Sequence, residues 1–265
     1  MFREEEDERY KRNINSKVTN IYIYKDPMSL DIVVAYYNSL AFSEILPAFS
    51  NRRNHRDGSK ETTNIIIYDK SDKQNKKWCF FDYISSFFFC IPSLLNLSKK
   101  HPNIKILSRE NRGREGETYL SHIIDRYDSL ADYTIFIQDD FDNHIPRNDY
   151  FIYNTNLMMQ HNQAFYPFQC SWRKGGNPFF RTIINGIPEP ELPTLSIPDA
   201  ILQTTMHFNI PLPVIYTTDI CAFFIVSRDR IRARPVTFYR DLREWLLSEE
   251  ANGFVLEHIW KLIFT

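Results

Sequence analysis

The stretch Asp132-Tyr-Thr-Ile-Phe-Ile-Gln-Asp-Asp-Phe-Asp-Asn-His144 decides how the chain reads. Its first half is aromatic and β-branched, which predicts a buried strand over residues 132–137. Its second half sets three carboxylates, Asp139, Asp140 and Asp142, directly beyond the strand's end. Upstream lie three more apolar runs: Asp31 to Tyr37, Asn64 to Asp69 and Asn103 to Leu107. Each is short and bounded by polar residues, as a strand should be. Between them sit helix-compatible segments. Phe42 to Phe49 opens one, and residues 83–98 look helical near their end. Glu117 to Tyr127 is amphipathic, with Tyr119, Leu120, Ile123, Ile124 and Tyr127 on one face.

Strands alternating with helices predict an α/β fold, a mainly parallel Rossmann-type sheet flanked by helices in a single domain. Ligands of such sheets bind beyond the carboxyl ends of the strands. Three of the four strands end in residues able to do chemistry there: Tyr36 to Asn38, Asp69 to Ser71, and Gln138 to Asp142. The second half is less regular. Eight prolines fall between Pro167 and Pro213, and this segment leaves little room for interior strands. Cys221 to Val226 predicts a further strand, followed by helices over Pro235 to Glu249 and Gly253 to Phe264. We divide the chain into a charged segment, 1–18, and one domain, 19–265. That domain has a first half at 19–145, which ends in the acids after the fourth strand, and a second half at 146–265.

Composition narrows the classes. The chain has 265 residues, 43 % hydrophobic and 25 % charged, enough for a sizeable core. A net charge of -1 argues against nucleic acid or an anionic membrane as a bulk partner. Cys79, Cys90, Cys170 and Cys221 form no close pair and read as reduced thiols, so a cytoplasmic location is expected. No secretory leader is visible, and the greasiest run, Tyr83 to Leu97, is too short and Pro-broken to anchor the chain in a bilayer.

Carboxylates at a strand end suit Mn²⁺ or Mg²⁺, which take oxygen ligands and are satisfied by one or two carboxylates plus phosphate oxygens. A D-x-D triplet arises by chance about once in a chain like this, so its position carries the reading. Acids after a strand also serve as turn residues or helix caps. Tyr36 or Tyr37 could stack on a base, or simply fill the core. Arg112 and Arg114 flank Gly113 before a helix, where guanidinium groups suit phosphate; surface pairing with Glu115 or Glu117 is the plainer alternative. Trp172 to Asn177 reads as a lid or as an ordinary loop.

The order of these pieces resembles the nucleotide-binding half of GT-A glycosyltransferases. Asn111-Arg-Gly-Arg-Glu-Gly-Glu-Thr-Tyr-Leu120, Ser227-Arg-Asp-Arg-Ile231 and Trp260-Lys-Leu-Ile-Phe264 also resemble an uncharacterised domain-of-unknown-function family. That family has fungal, algal and giant-virus members and reads N-x-G-R-E-G-x-T-Y-L, S-R-x-R-I and W-x-L-I-F. Its usual Q-x-H-P-F-D-H is replaced here by Gln138-Asp-Asp-Phe-Asp-Asn-His144, closer to a glycosyltransferase acidic motif. The resemblance implies a metal-dependent transferase, in host cytoplasm if viral, that takes a UDP-sugar and hands the sugar to a glycan hydroxyl with inversion. An algal-virus xylosyltransferase is a hint to the sugar.

The resemblance further implies roles. If the strand stops at Gln138, Asp139 faces the ribose and Asp140 the metal. If the motif is Asp140-Phe-Asp142, Asp142 is the direct ligand, with His144 an additional one. Asp69 would hold uracil or ribose, or else a turn. Glu257, in Phe254-Val-Leu-Glu-His-Ile259, is the candidate base, or else an i,i+4 partner of Lys261; Asp219 is the second candidate. The competing reading is a non-catalytic nucleotide- or carbohydrate-binding protein on a degenerate fold.

Overall fold

The computed structural model describes residues 28–37, 39–50, 62–71, 94, 96–99, 101–145, 148–168, 180–184, 197–219 and 222–265. The charged segment 1–18, the four cysteines and the Trp172 to Asn177 loop lie outside these. So does most of the 83–98 run.

Eight strands are described: β1 (Ser29–Tyr36), β2 (Thr62–Asp69), β3 (Ile104–Ser108), β4 (Tyr133–Gln138), β5 (Phe165–Pro167), β6 (Phe180–Ile184), β7 (Ile215–Asp219) and β8 (Phe224–Ser227). Helices are α1 (Leu46–Ser50), α2 (Arg114–Arg126), α3 (Phe141–His144), α4 (Asn148–Gln160), α5 (Ile197–His207), α6 (Arg228–Arg232), α7 (Val236–Ser248) and α8 (Asn252–Phe264). Six strands form one sheet in the order β3-β2-β1-β4-β8-β5, and β6 pairs with β7 in a separate ribbon. β3, β2, β1 and β4 run parallel, and β8 lies antiparallel to both β4 and β5. The expected mixed α/β fold with a mainly parallel sheet is therefore observed.

The central strands are apolar on both faces because helices cover both. Val33, Ala35, Ile66, Tyr68, Phe136, Phe224 and Val226 face α2, α7 and α8. Ile32, Val34, Tyr36, Ile65, Ile67, Ile135 and Ile137 face the other layer, with Phe42, Leu46, Phe141 and Phe151. This is the pattern of a doubly covered parallel sheet, with successive residues alternating between layers. Among the described residues, the proline-rich segment contributes β5, three residues at the sheet edge ending in Pro167, β6 of the ribbon, and α5. A proline has no N–H for a ladder, so both strand placements suit that composition. Among the described residues, no helix is long and apolar enough to cross a membrane.

Candidate active site

From β1 the chain steps outward to β2 and β3, then returns to place β4 on the opposite side of β1. The direction of winding reverses between β1 and β4. Crossovers then leave in opposite directions and open a crevice beyond the strand ends, the usual ligand position of such sheets. The acids after β4 follow at this point of the chain, and Asp139 meets Tyr37 and Ser39 after β1.

Asp139 and Asp140 have different surroundings. Asp139 is buried, and its Oδ2 accepts the backbone N–H groups of Tyr37 and Ser39, each at 2.7 Å. Its own N–H donates to Ala35 O at 3.1 Å. A carboxylate that accepts two backbone donors fixes the turn leaving β1. Asp140 occupies the N-cap position of α3, yet its side chain makes no capping hydrogen bond. Its Oδ2 lies 3.1 Å from His144 Nε2, and its Oδ1 is shielded from water without a donor among the described residues. Asp142 lies in the same helical turn. Its side chain is outside the described residues.

A second cluster faces these acids from α2 and α8. Gly113 and Arg114 both take left-handed backbone, φ 61° and 51°, at the start of α2. This costs about 1 kcal/mol or more at a non-glycine residue, so the turn must be held from outside. Lys70 holds it: the buried ammonium donates to Arg112 O at 2.8 Å, to Arg114 O at 2.5 Å and to Glu117 Oε2 at 3.2 Å. Burial depresses the pKa of Lys70, and Glu117 opposes that shift. Arg114, so placed, donates to Glu257 Oε1 at 3.3 Å and lies 4.0 Å over the Phe254 ring. Burial, followed by the nearby Glu115 carboxyl, pushes Glu257 up to about 8. Burial also raises Glu115.

The two clusters share one electrostatic environment. The Tyr119 hydroxyl, donating to Ala222 O at 2.9 Å, is raised by burial and then by Glu115, Tyr37, Asp140 and Glu257. Tyr37 is raised by burial, then by Glu115 and Asp139, and its hydroxyl is buried without a hydrogen-bond partner among the described residues. Tyr37, Asp139, Asp140, Arg114 and Glu257 are thus brought to one region.

The other candidates have different surroundings. Tyr36 is 1 % exposed in the opposite layer, edge-on to Phe42, so stacking on a ligand is not open to it. Strand alternation sends it there and Tyr37 to the site side. Asp69 accepts from both the N–H and the hydroxyl of Ser71, the turn role weighed for it. Arg112 lines a cleft of 430 Å³ over the ends of β2 and β3, with Tyr68, Ser108, Arg109 and Arg243. Neither Asp140 nor Glu257 lines that cleft. Asp219 is the last residue of β7, opposite Phe180 in the ribbon.

Sequence reasoning missed Glu115, Lys70 and Glu117 as organising residues. Glu117 accepts from Ser121, Lys70 and Arg243 and lies 3.4 Å from Arg109. The signal was present in Asn111-Arg-Gly-Arg-Glu-Gly-Glu117, where two acids sit in the first turn of a helix that buries both.

Among the described residues, no group of three or more His, Cys, Asp or Glu converges on one point. Asp140 nevertheless presents a shielded oxygen without a donor. One such carboxylate oxygen fits a cation that completes its shell with phosphate and water.

Two crystal structures of residues 1–349 of TarS from S. aureus, one in complex with UDP, are similar to the chain at 12 % identity and a TM-score of 0.44. They match 87 % and 88 % of this chain and 55 % of theirs. The mannosyltransferase PcManGT from Pyrobaculum calidifontis, in complex with GDP-Man and Mn2+, is similar at 10 % identity and a TM-score of 0.34, over 86 % of this chain and 54 % of its own. The chain thus spans about half the length of these structures. No curated protein sequence matches it. A family model described as "Protein of unknown function (DUF3431)" matches residues 66–265, from within β2 to the last residue. That span carries the acids after β4, the braced turn before α2 and the Arg114–Glu257 contact, and the chain belongs to this family of unknown function.

Proposed function

We propose that the protein is a metal-dependent glycosyltransferase that uses a UDP-sugar donor and passes a hexose or pentose, xylose among them, to a glycan hydroxyl with inversion. The observation that carries the reading is Asp140. Its carboxylate lies at the reversal point of the sheet and, among the described residues, keeps one oxygen without a donor. Mn²⁺ or Mg²⁺ would be held by Asp140, with Asp142 from the same turn, and would offset negative charge on the departing diphosphate. Arg114 faces the same region and offers donors to phosphate oxygens. Asp139 keeps the turn after β1 in place, and Tyr37 presents its ring beside it. Glu257 takes the acceptor's proton. A carboxylate of raised proton affinity is the stronger base once ionised, though at neutral pH only a minor fraction is. The four isolated cysteines favour a cytoplasmic enzyme.

Asp140→Ala tests this reading. With Mn²⁺ present, the wild-type chain should hydrolyse or transfer from a UDP-sugar, and the variant should lose that activity while keeping the wild-type circular dichroism. Full activity in a folded Asp140→Ala protein would overturn the assignment. The competing reading is a nucleotide- or carbohydrate-binding protein. It is motivated by Glu257, which is engaged by Arg114 rather than open. Calorimetric binding of UDP-sugars without turnover across a panel of acceptors would favour it.

A further inference from the structure

Two glycines bring α2 and α8 into unusually close contact. A Cβ on Gly116 would stand 2.7 Å from Leu256 Cδ2, and one on Gly253 would stand 3.1 Å from Arg114 Cδ. Each glycine or its contact adjoins a carboxylate: Glu115 precedes Gly116, and Glu257 follows Leu256. The approach therefore brings these two acids side by side between the helices, where the proton affinity of each responds to the other. Two ionised carboxylates are both acceptors and have no hydrogen to share. A hydrogen bond between them requires one proton in the pair.

We infer that Glu115 and Glu257 form a proton-sharing carboxyl pair, in which Glu115 is the positioning residue that sets the proton affinity of Glu257. The inference rests on the reading of Glu257 as the base, and it adds the residue that tunes it. Glu115 is buried and does not open on the crevice, whereas Glu257 is partly exposed and borders Arg114. The division of labour follows. Glu257 meets the acceptor hydroxyl, and Glu115 acts through it.

The charged and titratable groups around the pair agree. From α2 come Arg114, which contacts Glu257, and Glu117, which pairs with Lys70 from the end of β2. Tyr37 after β1 and Tyr119 on α2 both stay neutral, each raised by burial. Asp140, beyond β4, adds negative charge on Tyr119's side. On α8 itself, the His258 ring contacts Phe254 O, and Lys261 lies 5.9 Å from the Tyr216 ring. α7 meets Gly116 through apolar Leu246, while Ile201 of α5 and Phe165 of β5 join the same core. Arg114 and Lys70 are the cations whose charge reaches Glu115. They do not cancel burial and mutual repulsion, and Glu257 stays raised to about 8.

In the transfer step, the acceptor oxygen forms its bond to the anomeric carbon as the bond from that carbon to the diphosphate breaks. The diphosphate leaves with the electron pair, and the hydroxyl proton passes to ionised Glu257. The pair must first have released its shared proton, so turnover should climb about tenfold per pH unit until the pair is ionised.

Titration of the full chain carrying glutamate labelled with ¹³C at the carboxyl carbon tests the pair without any assay of activity. The wild type should show a carboxyl signal that titrates near pH 8, and Glu115→Gln and Glu257→Gln should each abolish it. In the transferase assay, Glu115→Gln should move the alkaline rise of the rate at least about one pH unit toward acid, because the like charge beside Glu257 is gone. A merely structural Glu115 would leave the position of that rise unchanged. If no glutamate of the wild type titrates above about pH 6, the pair does not exist. If the signal is present but no UDP-sugar is turned over, the pair stands and the transferase reading fails.

Discussion

Adjacent acids with opposite duties give a sharp stability test. Truncating Asp139 to Ala removes the acceptor of two backbone N–H groups, those of Tyr37 and Ser39 at 2.7 Å. Hydrogen bonds to a charged group contribute about 1.5–3 kcal/mol each, so the pair is worth roughly 3–6 kcal/mol. Tyr37 and Ser39 are only half-buried, so water can reach the freed donors and the lower end applies. Asp139→Ala should therefore lose about 3 kcal/mol. Asp139→Asn keeps an oxygen in place but gives up the charge and should lose about 1 kcal/mol. Asp140→Ala removes an oxygen that has no donor among the described residues and one contact to His144, so it should change stability by less than about 0.5 kcal/mol. Urea unfolding at pH 7, followed by tryptophan fluorescence, reads all three from the midpoints at constant slope. The reasoning fails if Asp139→Ala unfolds at the wild-type midpoint, or if Asp140→Ala loses as much as Asp139→Ala.

Gly113 has φ 61°, and a Cβ there would lie 3.0 Å from both Glu117 Cβ and Leu247 Cδ2. Gly113→Ala should cost about 1–3 kcal/mol in thermal or urea unfolding. Lys70→Met keeps the buried stem but strips the ammonium from Arg112 O, Arg114 O and Glu117, and should cost about 3 kcal/mol, with faster hydrogen exchange in the first turn of α2. The pH dependence of stability should have a flat top. Glu257 is raised above its ordinary 4.5, so its contribution is complete below that value and is lost as pH rises through about 8. His122 is lowered from 6.5 to about 3 by burial, then by Arg126 and Arg109, so its contribution is complete above 6.5 and is lost as pH falls toward 3. Each slope is at most about 1.4 kcal/mol per pH unit. The two oppose each other between 4.5 and 6.5, and stability falls on both sides. Glu257→Gln should remove the alkaline fall and leave the acid one, as urea midpoints measured from pH 4 to pH 9 would show.

What the chain discloses by itself depends on how far each argument must reach along it. β4 was legible because five neighbouring residues carry its pattern, and alternation within β1 suffices to send Tyr36 and Tyr37 to opposite layers. Which carboxylate after β4 braces and which stays available was not legible. Asp139 acquires its duty from N–H groups about 100 positions upstream. Arg114 and Glu257 stand 143 positions apart, and no local period links them. The one sequence clue was the density of Gly and Glu in Asn111 to Glu117, and the structure gives that density a physical reason. Gly113 admits the left-handed turn, Glu117 anchors the lysine that holds it, Gly116 lets α8 approach, and Glu115 meets the acid that arrives. Four of seven neighbouring residues thus serve one contact. Reading them as ordinary surface pairing fails because both glutamates are buried, and a buried acid must find a donor or a proton. Glu117 finds Lys70, Arg243 and Ser121. Glu115 finds Glu257, and so the mere helical spacing of Glu257 and Lys261 gives no guide to the role of Glu257.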